Sequence, residues 1–340
     1  MKERYDERDT IFSRMLELEL SAVNYADYYR RRPEKEDEDA GLRTAGSGVF
    51  SDRLPEQRQI DSIFSLITQL RPLAGNGVKK DAPVPIPEMK QAASAELTER
   101  VKKTTISYGA SLCGIAETDP AWVYSVRGRG RHYGEVVGDS LPLTIVFAVE
   151  MDEDEINRAP AVEQSMEVVK GYLNVAVTGL ALSHVIRGWG WNAVCHMDGM
   201  SELILPPAAE AAGLGSIGLA GILVTSGYGS RIRLGAVTTD MPLQPDPFSS
   251  FVVSKVCRTC GKCAKLCPSG CIPRFDSYKD GERFSIDAES CYRTWREFGT
   301  DCGVCLAACP FSHPKKKSGI TEGDGRRPEG FLKDFMFGGD

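Results

Sequence analysis

A chain of 340 residues with 42% hydrophobic content can bury one large core or two ordinary ones, and two domains are expected. The formal net charge of −6 argues against a phosphate-tracking surface, because nucleic-acid binders carry a basic footprint. Neither a signal-peptide-like N-terminus nor an unbroken apolar run of about 18 residues stands out, and eleven cysteines suit a reducing compartment. The expectation is a cytoplasmic protein with no membrane span.

Residues 9–30 carry apolar side chains at helical spacing, with Ile11, Met15, Leu16, Leu18 and Leu20 close together on a wheel. The charged, glycine-containing stretch 31–52 predicts a loop or linker. Helical spacing returns over 60–70 ahead of Pro72, and a proline-rich crossing follows at Pro83, Pro85 and Pro87. Residues 1–104 thus read as a helical region packing on the core, without chemistry of its own.

An amphipathic helix over 89–107 leads into a short apolar strand, 110–116. After a loop with Arg127, Arg129 and Arg131 among glycines, 141–150 reads as a buried strand, 161–188 as a long helix and 191–195 as a third strand. Alternating strands and helices predict an α/β domain over 105–250. Within it, Gly213-x-Gly215-x-x-Gly218 superficially matches a dinucleotide fingerprint. A fingerprint needs a strand before it and a helix after it; here a helix-like stretch precedes and a β-rich run follows. The glycines instead indicate close backbone approach, to a packed element or to a bulky planar ligand. Residues 227–240 read as a turn and a strand.

Cysteines dominate 251–315. They run Cys257-x2-Cys260-x2-Cys263-x3-Cys267-Pro268, then Cys291, then Cys302-x2-Cys305-x3-Cys309-Pro310. Thiolates at gaps of two and three residues, closed by Cys-Pro, put three sulfurs on three corners of a [4Fe-4S] cube, and here the pattern occurs twice. Structural zinc favours paired Cys-x2-Cys knuckles, and a disulfide framework belongs to small secreted chains. If the last cysteine of each run crosses to the other cube, Cys257, Cys260, Cys263 and Cys309 hold one and Cys267, Cys291, Cys302 and Cys305 the other. Ten residues separate Cys291 from Cys302, so a loop must intervene. Cys113, Cys195 and Cys271 are left as buried small hydrophobes. Residues 316–340 read as a tail, and Lys315–Lys317 and Arg326–Arg327 supply what little basic character the C-terminus has.

The order of these segments carries a resemblance. Gly109-Ala-Ser-Leu-Cys-Gly-Ile-Ala with Trp122-Val-Tyr-Ser, Ile145-Val-Phe-Ala-Val-Glu-Met-Asp, Ala212-Gly-Leu-Gly, Tyr228-Gly-Ser-Arg-Ile-Arg-Leu-Gly-Ala-Val-Thr-Thr-Asp and the two cysteine runs together resemble the cobalamin-dependent reductive dehalogenases over residues 105–315. The resemblance implies a nitroreductase-like, corrinoid-binding α/β domain followed by a two-cluster bacterial-ferredoxin-like domain. It implies two [4Fe-4S] clusters feeding electrons to a base-off cobalamin, and cob(I)alamin cleaving the carbon–halogen bond of a small organohalide. A low-potential donor (ferredoxin, flavodoxin or a reductase) would supply the electrons. Corrinoid contacts are implied at Met197, Gly213, Leu214, Gly215, Gly218, Leu219, Tyr228, Ser230 and Arg233.

Tyr172 stands where the family has a proton-donating tyrosine, early in the long helix, although a core aromatic would look the same in sequence. Arg231 matches the family's arginine after Tyr-Gly, with a role toward the phenolate or the departing halide; Arg233, two residues on, is its alternative. Asp198 departs from the dehalogenase pattern. The epoxyqueuosine reductases, which the chain also resembles there, carry an acidic aspartate, so either Tyr172 or Asp198 could deliver the proton. Asp198 also reads as a turn residue before Gly199, and His196 as a polar wall rather than a metal ligand. Two other functions remain open. Epoxyqueuosine reduction on tRNA is opposed by the acidic balance; a ferredoxin-type carrier without corrinoid is opposed by the long, patterned 105–250 region. Trp122, Tyr124, Trp189 and Trp191 could line a pocket for an apolar halogenated substrate, but taken singly each reads better as core.

Overall fold

The computed structural model describes residues 4–18, 21–44, 54–74, 86–248, 253–274 and 285–313. The sequence readings for Leu20, Pro83, Pro85 and the tail lie outside them.

The centre is an antiparallel sheet. Its strands are β1 (Leu112–Glu117), β2 (Leu143–Glu150), β3 (Ala193–His196) and β6 (Ile232–Thr239), in the order β1-β2-β6-β3. A separate ribbon pairs β4 (Ser216–Ile217) with β5 (Leu223–Val224). Strand β2 is rich in β-branched and aromatic residues and buried on both faces, which explains why it reads as an unbroken apolar run. Its period of two sorts the core: Ile145, Phe147 and Val149 point to one side and Val146 and Ala148 to the other. In register, Ile145 lies between Ile115 of β1 and Val237 of β6.

Helices close both faces. They are α1 (Ala22–Arg31), α2 (Glu36–Thr44), α3 (Leu54–Ala74), α4 (Pro87–Gln91), α5 (Ser94–Ser107), α6 (Glu153–Ile156), α7 (Val162–Trp189) and α8 (Leu205–Ala211) in the first 211 residues. On the Ile145 face, α5 supplies Leu97 and Val101 and α7 supplies Val175, Leu182 and Ile186. On the other, Ala208 and Ala209 of α8 lie on Val146 and Ala148. Helix α7, 28 residues long, is apolar enough by composition to cross a membrane. It is instead the central core helix, held between the sheet and α3, and it buries Gln164, Ser165, Glu167, Thr178 and Ser183 along its length. Close approach to the sheet depends on Gly179, where a Cβ would come within 2.7 Å of the Cys195 sulfur.

Four short helices, α9 (Val253–Cys260), α10 (Lys262–Leu266), α11 (Ala288–Phe298) and α12 (Val304–Ala308), carry the cysteines. The two runs repeat one device. Gly261 after Cys260 and Gly303 after Cys302 adopt left-handed φ of 55° and 69°, and each opens the next short helix, α10 or α12. Cys302 itself has φ 53°, the only non-glycine residue with positive φ among those described, so the backbone is strained where a thiol must be aimed.

The N-terminal region differs from expectation. The stretch 9–30 is not one helix. A π-helical turn, Ser13–Glu17, precedes α1, which starts afresh at Ser21, whose hydroxyl accepts from Asn24 N at 3.2 Å. The predicted loop contains α2 instead. Four acids in its first turn favour the positive end of the helix dipole, and Asp39 is fully buried against Arg14 at 3.1 Å. Helix α3 also continues past the expected stop, placing Pro72 within its last turn.

Candidate functional site

Tyr172 lies early in α7, one residue after Gly171. The Arg233 guanidinium, from β6, sits 4.7 Å from the centre of its ring, and Phe64 of α3 packs at 6.0 Å between ring centres. Among the described residues the Tyr172 hydroxyl has no hydrogen-bond partner, and the buried Nε of Arg233 has none either. Arg233 is the largest influence on the phenol and lowers its pKa. Burial, with Asp198 and Asp301 nearby, outweighs it and holds the group above its usual value of 10.0. Asp301 is itself raised by burial, partly offset by Arg233.

Gly171 makes room for this pair. A Cβ there would stand 2.7 Å from Arg233 Cγ. In mid-helix Gly→Ala ordinarily stabilises by about 0.5–1 kcal/mol. Gly171→Ala is expected to do the reverse, lowering the denaturation midpoint and displacing Arg233 from the ring, which a melt of the variant would show.

Asp198, at the turn after β3, is held by arginines at both oxygens: Arg71 Nη2 at 3.1 Å and Arg129 Nη1 at 3.2 Å. Arg71 Nε also donates to the Asp198 carbonyl at 3.0 Å. Arg129 continues to Glu7 at 3.4 Å, and the Glu7 carboxylate, whose pKa is raised by burial, accepts from Gly128 N at 2.7 Å. The N-terminal region, expected to lack chemistry, thus supplies Glu7 to Arg129 and Arg71 to Asp198, two of the groups that act electrostatically on Tyr172. His196 is buried: its Nδ1 accepts from Glu202 N at 3.2 Å, its Nε2 lies 3.0 Å from Thr238 Oγ1, and burial pushes its pKa down to about 3. A neutral structural imidazole is the result.

Arg231 is held elsewhere than its sequence position suggested. Its side chain is buried; Nε donates to the Ser312 carbonyl at 2.7 Å and Nη1 to Glu150 at 2.9 Å and to the Met151 carbonyl. The alternation that would put 231 and 233 on one face begins only at Ile232, while Arg231 closes the preceding turn through its N–H to Tyr228 O at 3.1 Å. Arg231 therefore ties the sheet to the cysteine-rich segment, and Arg233 is the arginine beside Tyr172.

The predicted corrinoid contacts divide into groups. Met197 is buried beside Met200 at the Asp198 turn. Gly213, φ 75°, ends α8 in a left-handed stop, with its N–H bonded to Glu210 O at 3.1 Å and Leu214 N to Ala209 O at 3.0 Å. Leu214 packs over Gly114 of β1. At Gly215 a Cβ would meet Val224 O at 2.3 Å, so this glycine serves the β4–β5 ribbon. These packing roles account for the false fingerprint.

Gly218, Leu219 and Ser230 instead border the cysteines. A Cβ on Gly218 would lie 3.6 Å from the Cys257 sulfur, which also accepts from the Leu219 backbone N–H. Ser230 bonds the Cys309 thiol through its hydroxyl, and Tyr228 lies in the turn leading to it. Cys257, Cys260, Cys263 and Cys309 fall within electrostatic reach of one another. Cys267, Cys302 and Cys305 form a second, adjoining group, with Cys263 of the first within reach of Cys305 and with Cys291 joined to it through Cys271. The two sets of thiols fit the composition of a pair of [4Fe-4S] clusters, and both adjoin the α/β domain: the first at Gly218, Leu219 and Ser230, the second through Asp301 against Ser165 and through Leu306 and Ala307 beside Tyr172.

Sequence reasoning missed Arg71, Arg129 and Asp301. Arg129 alone carried a local signal, as one of three arginines among glycines.

Residues 256–313 match the 4Fe-4S dicluster domain family. The chain is 30% identical over 277 residues to a tetrachloroethene reductive dehalogenase of Desulfitobacterium hafniense, covering 66% of this chain and 50% of that one. It is 39% identical over 122 residues to the epoxyqueuosine reductase of Listeria monocytogenes, covering 33% and 30%. The fold matches the catabolic reductive dehalogenase NpRdhA in complex with 3-bromo-4-hydroxybenzoic acid, with a TM-score of 0.63, 23% identity, and coverage of 74% of this chain and 37% of that one. The chain spans about half the length of the curated dehalogenases it matches. Its C-terminal segment is a 4Fe-4S dicluster domain, its fold is like that of a reductive dehalogenase, and in sequence it is similar to about half the length of proteins named reductive dehalogenases.

Proposed function

We propose that the chain is a reductive dehalogenase that replaces a carbon-bound halogen of a small organohalide by hydrogen, consuming two electrons and a proton and releasing halide. The observation that carries this reading is Tyr172: a half-buried phenol with an unengaged hydroxyl, an arginine on its ring face, and a cluster-bearing segment joined to the same sheet. Cys257, Cys260, Cys263 and Cys309 would hold the first cube and Cys267, Cys291, Cys302 and Cys305 the second, and a low-potential donor would supply the electrons.

A corrinoid would be held beside these residues, with the buried Arg233 Nε, which has no partner among the described residues, and the backbone of Gly218 and Leu219 next to the first cube as its contacts. When bound it supplies the low-potential metal centre for carbon–halogen cleavage. The chain's own residues do the rest. Tyr172 holds the proton and delivers it to the substrate carbon; Arg233 then stabilises the phenolate. Asp198, engaged by Arg71 and Arg129 at both oxygens, fixes those arginines as positively charged walls. This arrangement favours Tyr172 over Asp198 as the donor, although the 122-residue similarity to an epoxyqueuosine reductase keeps the aspartate as the second candidate.

The test is halide release by the anaerobically prepared, corrinoid-supplied protein with a low-potential reductant and a panel of chlorinated ethenes and halogenated phenols. Stoichiometric halide and dehalogenated product are expected. No halide from any of them, from protein holding all its cofactors, would end this reading.

A further inference from the structure

Nine cysteines lie beyond residue 250, and the two cubes account for eight, leaving Cys271. It is not an isolated apolar filler. Its sulfur lies 3.4 Å from that of Cys267 and makes a side-chain contact with the thiol of Cys291 as well. The three share one buried cluster with Cys305, Cys257 and Cys263.

The backbone fixes this placement. Ser269 Oγ accepts from Cys271 N at 3.3 Å and lies 3.3 Å from the Cys267 sulfur. The Cys271 carbonyl accepts from Asp287 N at 3.0 Å, and the Asp287 carbonyl accepts from Cys291 N at 3.1 Å. Asp287 also caps α11 through its side chain, which accepts from Ser290 N at 3.1 Å. The helix that carries Cys291 is therefore anchored at its first turn to Cys271 itself.

We propose that Cys271 is a reserve ligand of the second cube, able to take the corner of Cys291. The inference rests on the ligand set proposed above. Cys291 is the ligand it would replace, because ten residues separate Cys291 from Cys302, outside the tight run, and its helix is tied through Asp287 to the Cys271 carbonyl. In the exchange the iron–sulfur bond to Cys291 breaks and one to Cys271 forms. The thiol proton of Cys271 passes to the departing Cys291 thiolate it touches; no electron moves and the total charge is unchanged.

The test uses the full chain, purified anaerobically, as wild type, Cys271→Ala, Cys291→Ala and the double variant. Iron and sulfide per chain are measured, with electron paramagnetic resonance of the oxidised and reduced protein. Wild type and both single variants are expected to hold about eight irons. The double variant is expected to lose up to about four, or to show a three-iron signal. The proposal is overturned if Cys291→Ala alone loses as much iron as the double variant, or if the double variant keeps both cubes. Should the double variant fail to accumulate, Cys291→Ala decides: two intact four-iron signals support the exchange and a three-iron signal refutes it. A wild type with only one cube would overturn the ligand set itself, a result distinct from any difference among the variants.

Discussion

Tyr172→Phe is expected to cut halide release by about 10²–10⁴-fold, the range that a positioned general acid contributes, with iron and corrinoid content unchanged. Phenylalanine keeps the ring under Arg233 and against Phe64 and removes only the hydroxyl. The pH dependence gives an independent sign. The Tyr172 pKa is held above its ordinary 10.0 in the folded chain, so the phenol stays protonated through the neutral range and its activity should fall only in alkali. A carboxylic acid donor would instead lose its proton as the pH rises through its own, lower pKa, and the rate would decline earlier. A flat neutral profile together with the loss in Tyr172→Phe assigns the proton to the phenol; an unaltered rate in the variant would pass the role to Asp198.

The second large effect is on stability. Asp39→Ala is expected to destabilise the folded chain by about 3–5 kcal/mol, the cost of removing one partner from a buried ion pair. Arg14 would be left with its guanidinium buried, still bound to Glu289 at 2.7 Å but without Asp39 at 3.1 Å. The Tyr29 hydroxyl, 2.8 Å from Asp39, would lose its acceptor too. Because Glu289 lies in α11, this network fastens the N-terminal helices to the cluster-bearing segment. Denaturant unfolding of the variant measures the effect. Glu96→Ala, which breaks an exposed pair with Arg100 at 3.3 Å, is the control and should cost less than about 1 kcal/mol.

What was legible in the sequence followed the range over which each signal acts. The cysteine runs were readable because ligand spacing is a local matter: glycine-led turns after Cys260 and Cys302 need only their neighbours. Strand β2 was readable because burial on both faces leaves an unbroken apolar run from Ile145 to Val149. Helix α2 was not, because its charge is offset by Arg14, 25 residues from Asp39. Nor was the charge network reaching Tyr172, since Arg71 and Asp198 are 127 residues apart and Arg129 and Asp198 are 69 apart. Arg231 and Arg233 could not be told apart in the sequence for a subtler reason. A strand's alternation is visible in sequence, but the residue at which it begins is not, and Arg231 lies one position before it.

The proposed assembly holds two cubes and a corrinoid around Tyr172. It is tested most directly by metal analysis of the anaerobic, corrinoid-supplied protein: iron, acid-labile sulfide and cobalt per chain, with the visible spectrum before and after reduction. About eight irons with one cobalt per chain is the expected result. The same iron with no cobalt, even after reconstitution, would contradict the account and leave an iron-sulfur electron carrier.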